Sequence, residues 1–182
     1  LAALSLGLLG ALGRGPLLVM LATAAAAAVL GWRRTRPAAR SAGVALAGEI
    51  AAAPVLAALL AAALVMPLAA ATMPEVFYDS LLYHLEAPAR WLAAGRLAAG
   101  PYTFHLNYPV NASVCYLLAQ CVVPEASGGV VHWGFLVGCA VALVALGQGL
   151  GRRTGVLAAL LFVVAPSVLE VAPLAIADLA VT

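Results

Sequence analysis

The sequence predicts an all-α, polytopic transmembrane bundle with an amphipathic helix pair in one outer loop. Three observations lead there. The chain is 65% hydrophobic and only 9% charged, with a mean hydropathy of +1.09, whereas a soluble domain carries about a quarter of its residues as charge. Its runs of Ala, Leu, Val and Gly approach the roughly 20 residues that a helix needs to cross a bilayer. One stretch, Met73 to Pro109, packs Glu75, Asp79, His84, Glu86, Arg90, Arg96 and His105 among Tyr78, Tyr83, Trp91, Tyr102 and Tyr108. The net charge of +2 gives no footprint for nucleic acid. An arginine set without lysine, in an Ala-rich chain, reads as codon bias and carries no functional message.

Taken in order, the first apolar run is Leu1–Gly13, read as a cut membrane helix because no basic region precedes it. Thr182 likewise stops inside an apolar pattern, so a piece of a longer chain is expected. Arg14-Gly15-Pro16 makes a reversal, and Pro16–Trp32 is the next span. The densest basic run, Arg33 to Arg40, is expected as a cytoplasmic loop by the positive-inside rule. Ala42–Thr72 exceeds one crossing; Glu49 and Pro54 divide it into an interfacial part and a span from about Val55 to Thr72. Residues 1–72 thus form an N-terminal transmembrane region. Residues 73–127 form an extracytoplasmic loop, and residues 128–182 return to the membrane.

In that last region Gly128–Leu150 and Val156 to about Leu174 are the expected spans. Tyr108–Val123 is short and carries Asn111, Ser113 and Gln120, which suits the outer interface better than the hydrocarbon. That choice puts Arg152-Arg153 inside and places Asp178 on the same face as Asp79. Cys115, Cys121 and Cys139 have no metal or redox spacing and read as small apolar fillers. Asn111-Ala112-Ser113 matches a glycosylation acceptor, a signal of only three residues.

Charge is costly in lipid, so the cluster between Met73 and Pro109 must line a cavity or the membrane surface. Asp79 opens a helical pattern that Pro88 breaks or restarts and Gly95 stops. Leu81, Leu85, Pro88 and Leu92 fall on one expected apolar stripe, with Asp79, Tyr83 and Glu86 on another side. Asp79 fits a helix N-cap or, more sharply, a general base at the lipid–water boundary. His84 fits a second base, a metal ligand, a substrate contact or a plain interfacial histidine. Tyr78, Tyr83 and Trp91 fit an aromatic belt. Arg90 and Arg96 suit a lipid phosphate or ordinary headgroups. Glu170 and Asp178 flank Pro173 near the end of the last span, where ionisable groups are functional candidates.

The run Asp79-Ser80-Leu81-Leu82-Tyr83-His84-Leu85, then Pro88, Trp91, Gly95-Arg96 and Asn107-Tyr108-Pro109, resembles the first outer loop of GT-C glycosyltransferases. The similarity covers about residues 73–125. It continues more weakly through Arg152-Arg153-Thr154-Gly155, Pro166 and Ala177-Asp178-Leu179. The members it looks most like are bacterial mannosyltransferase-like and lipopolysaccharide-core-transferase-like enzymes. The resemblance implies inverting transfer of a sugar from a polyprenyl-phosphate donor to a glycan, lipid or protein hydroxyl at the outer face. It puts the catalytic base at Asp79 and a second acidic position at Asp178. Candidate substrate contacts are Glu75, Tyr83, His84, Arg90, Arg96, Asn107 and Tyr108. Many relatives carry another acidic residue after the Asn-aromatic-Pro motif, where this chain has Asn111 and Ser113, so a divalent metal is an open expectation. Two other classes fit the same residues: a transporter or flippase-like protein that binds polar headgroups, and a non-catalytic membrane subunit.

Overall fold

The computed structural model describes residues 2–98, 111–123, 128–151 and 153–180. Among them the chain is helical, without strands. The helices are α1 (Ala2–Leu8), α2 (Arg14–Ala52), α3 (Pro54–Ala71), α4 (Glu86–Ala94), α5 (Asn111–Val122), α6 (Gly128–Gly147), α7 (Thr154–Val163) and α8 (Pro166–Val171). A π-turn at Ser80–His84 precedes α4, and a 3₁₀ turn at Asp178–Ala180 follows α8.

Three helical stretches, Arg14–Trp32, Pro54–Ala71 and Gly128–Gly147, are long and apolar enough to cross a membrane. Val55, Leu59, Val65 and Met66 of α3 are exposed all the same. A helix that is apolar all round and still exposed suits lipid, not water.

The central unit is α3, α6 and α7, with α3 and α7 running one way and α6 the other. Leu136, Ala140 and Val144 recur every four residues along α6 and meet Val156, Ala159 and Val163 of α7. At the base of this seam a Cβ on Gly147 would overlap the backbone of Gly155, and one on Gly155 the backbone of Val144. Only glycine lets the two helices approach so closely. Trp133 Nε1 donates to the Leu64 carbonyl at 2.9 Å and ties α6 to α3. A second core joins α1, the start of α2, α4 and α5 through Ala3, Leu17, Ala87, Trp91, Leu117 and Cys121, with Leu12 from the turn between α1 and α2.

Four expectations about the elements are corrected. The first apolar run is only the seven-residue α1, which ends at Leu8 ahead of a turn at Gly10 with φ of +70°. Arg33–Arg40 is not a loop: α2 continues through it for 39 residues with Pro37 inside. At 1.5 Å per residue that is about 58 Å, close to twice a hydrocarbon core. Val156–Leu174 is not one span, because Ala165 leaves the helical region (ψ 129°) ahead of Pro166. The ring of a proline disfavours helix at the residue before it, and a new helix then starts on the proline itself.

The fourth correction concerns the apolar stripe after Asp79. Leu85 N–H bonds the Ser80 carbonyl at 2.9 Å, a five-residue step that adds one residue to the turn. Ser80, His84, Ala87, Pro88 and Trp91 are buried, so Pro88 keeps to the expected apolar side and Leu85 and Leu92 are half-buried, while Leu81 is exposed. Gly95 does stop α4, with φ of +66°.

Candidate functional site

The π-turn and the segment after α8 meet at one end of the central unit. Between them lies a cavity of about 490 Å³ lined by Asp79, Tyr83, His84, Glu170 and Asp178, with Phe77 and Leu174 among its apolar walls. Two carboxylates far apart in sequence, Asp79 and Asp178, are thereby brought to one space, with Glu170 as a third. Asp79, Tyr83 and His84 all reach it from the turn ahead of α4, with His84 itself buried.

Asp79 itself is helical (φ −66°, ψ −37°) and makes no side-chain capping bond, so the N-cap expectation is not met. Its carboxylate faces the cavity instead of the helix end. His84 Nδ1 lies 3.4 Å from the buried Ser113 Oγ, and its ring packs 4.2 Å, centroid to centroid, from that of Tyr83. Burial pushes the His84 pKa below its ordinary value, against the opposing pull of Asp79 and Asp178. At neutral pH His84 is therefore an uncharged hydrogen-bonding group. The Ser80 hydroxyl is buried without a partner among the described residues.

Glu75 does not line the cavity. Its Oε1 accepts the Val76 and Phe77 N–H groups at 3.1 and 3.0 Å, and its Oε2 accepts Ala175 N–H at 2.8 Å. These bonds make it the fastener between the segment leaving α3 and the segment following α8. Arg90 bonds Glu86 at 2.6 Å on an exposed face of α4, and neither residue lines the cavity. Glu86 thus parts company with Asp79 and Tyr83. Arg96 is exposed beyond α4 and is not a lining residue. Asn107 and Tyr108 lie outside the described residues.

One important residue escaped the sequence reading. His132 sits in the first turns of α6, fully buried. Its Nδ1 lies 3.0 Å from the Val171 carbonyl and its Nε2 accepts Leu179 N–H at 3.1 Å. A histidine inside an otherwise apolar span was the available signal, since such groups are functional or structural fixtures by default. Tyr116, also fully buried, donates its hydroxyl to the Ile176 carbonyl. Gln120 donates to the Leu85 carbonyl at 3.2 Å, so α5 braces both walls of the cavity.

Among the described residues no group of three or more His, Cys, Asp or Glu is placed to hold a metal ion. The three cysteines are free thiols, and Cys121 belongs to the second core. No family model, curated protein or solved structure matches the chain.

Proposed function

We infer that this chain belongs to a membrane glycosyltransferase that takes a sugar from a polyprenyl-phosphate donor at the extracytoplasmic face. The observation that carries this reading is the meeting of Asp79, Asp178 and Glu170 with Tyr83 and His84 in one cavity at the end of an apolar helical unit. A lipid-linked donor keeps its tail in the membrane while its sugar reaches such a cavity, and the acceptor arrives from water.

Asp79 takes the proton from the acceptor hydroxyl. The freed oxygen attacks the anomeric carbon, and the bond from that carbon to the phosphate oxygen breaks. Its electron pair leaves with the polyprenyl phosphate, so the sugar inverts. Asp178 and Glu170 accept hydrogen bonds from sugar or acceptor hydroxyls, and neutral His84 adds no charge to the space. Arg90 pairs with Glu86 on an exposed face of α4 and does not line the cavity.

The acidic lining also favours a second reading, a binding site for a polar headgroup as in a transporter. Asp79→Asn separates the two. The side chain keeps its shape but loses the basic oxygen, a role typically worth about 10²–10⁴-fold in rate. The transferase reading expects normal membrane levels and donor binding, with transfer lower by at least about two orders of magnitude. Unchanged transfer overturns Asp79 as the base. Lost binding in a protein without transfer points to the headgroup reading.

A further inference from the structure

The segment from Val171 to Leu179 is an irregular chain of turns, yet it forms one wall of the cavity and ends beside Asp178. Irregular backbone against an apolar bundle needs its N–H and C=O groups satisfied by something other than a helix. Here side chains from three other elements do so. Glu75 accepts Ala175 N–H, Tyr116 donates to the Ile176 carbonyl, and His132 contacts both ends of the segment.

The chemistry of the His132 contacts is fixed by its partners. A carbonyl can only accept, so Nδ1 carries the proton toward Val171. A backbone N–H can only donate, so Nε2 is the bare nitrogen that receives Leu179. His132 is thus a neutral bridge of one defined tautomer, spanning the two ends of the segment from the wall of α6. Leu179 is the neighbour of Asp178, and both belong to the 3₁₀ turn Asp178–Ala180.

We propose that His132 is a positioning residue, which sets the Asp178 carboxylate in the cavity by holding Leu179 N–H on its Nε2. The proposal rests on the transferase reading for the consequence in turnover, but not for the bridge itself. It acts through the backbone, since His132 does not line the cavity.

Two near-isosteres divide the bridge. The amide of His132→Gln reaches the place of Nε2 and can still accept Leu179 N–H. The shorter amide of His132→Asn reaches only the place of Nδ1 and keeps the Val171 half. The intact protein in lipid nanodiscs is read in two ways: hydrogen exchange of the Leu179 amide, and kcat and KM for sugar transfer. The Asn variant is expected to exchange Leu179 about tenfold faster, the order expected from orphaning one buried amide. Its kcat should fall by about tenfold with KM nearly kept, while the Gln variant matches the wild type in both.

Equal Leu179 protection in all three proteins overturns the proposal, whatever the transfer activity. Faster exchange with unchanged kcat in the Asn variant, in a protein that Asp79→Asn silences, also overturns it and leaves the transferase reading standing. A wild-type protein without transfer removes that reading, and the protection pattern still decides whether His132 holds the turn of Asp178. If the Asn variant fails to reach the membrane, the Gln variant still tests the bridge: loss of Leu179 protection there overturns it.

Discussion

The two ends of the α3–α6–α7 unit carry similar polar residues and use them in opposite ways. At one end Glu49 accepts Arg153 N–H at 3.3 Å, and Arg153 Nε bonds the Ala52 carbonyl at 2.9 Å. These bonds hold Arg153 in a left-handed backbone (φ +79°) at the start of α7 and satisfy the last turn of α2. Charge there is absorbed in closing the fold. At the other end Asp79, Glu170 and Asp178 line a shared space with His84, and among the described residues no arginine lines it. The fastening at that end is done by Glu75, Tyr116 and His132, which stand outside the cavity. Polar residues become a site where others have taken over the structural work. On the transferase reading proposed above, the acidic end faces the extracytoplasmic side and the Glu49 end the cytoplasm.

The strongest way to break this contrast is to part the helices that carry both ends. Gly155→Leu inserts a side chain where α6 and α7 meet backbone to backbone. Overpacking of this kind costs about 1–3 kcal/mol, more where backbone is the obstacle. Thermal unfolding in detergent should show the loss, and a wild-type melting curve would contradict the close seam. Next in size is Trp133→Phe, which removes the bond to the Leu64 carbonyl near the acidic end. A loss of about 1 kcal/mol is expected, with the cavity intact.

Acidity sharpens the contrast further. The His84 pKa is lowered in the folded protein, so the unfolded chain takes up this proton first as pH falls. Stability supplied by neutral His84 is present above about pH 6.5 and is lost as pH drops through the folded value. His84→Gln should flatten the pH dependence of unfolding in that window, and an unchanged slope would count against a buried, neutral His84. The smallest effect belongs to the opposite end. Glu49→Gln weakens one partly exposed contact, worth at most about 1 kcal/mol, and should leave transfer unchanged. Lost transfer there would erase the functional difference between the ends.

Much of this layout was legible in the residues. Composition gave the helical class, the break at Pro54 marked the start of α3, and the stretch carrying Asn111, Ser113 and Gln120 is helical over Asn111–Val122. Arg33–Arg40 was misread because a charge run signals sidedness, not backbone conformation; α2 simply carries its arginines in helix. The place of Leu81 was misread because a π-turn has no sequence signature, and the buried line runs through Ser80, His84, Ala87, Pro88 and Trp91. Glu75 stood out as a carboxylate near a site, but only the fold shows that its oxygens are occupied by three backbone N–H groups. His132 was passed over because it sits far from the polar stretch in sequence, and the return of the chain after α8 is what brings it there.

Sidedness tests the central claim most directly. In a background lacking Cys115, Cys121 and Cys139, one cysteine is placed at Val76, 83% exposed beside the acidic end. Another replaces Gln148, exposed at the Glu49 end. An impermeant thiol reagent added to intact cells should label position 76 at once and position 148 only after the membrane is opened. Labelling of 148 but not 76 would turn the protein over, and the acidic cavity could not then be the extracytoplasmic site of sugar transfer.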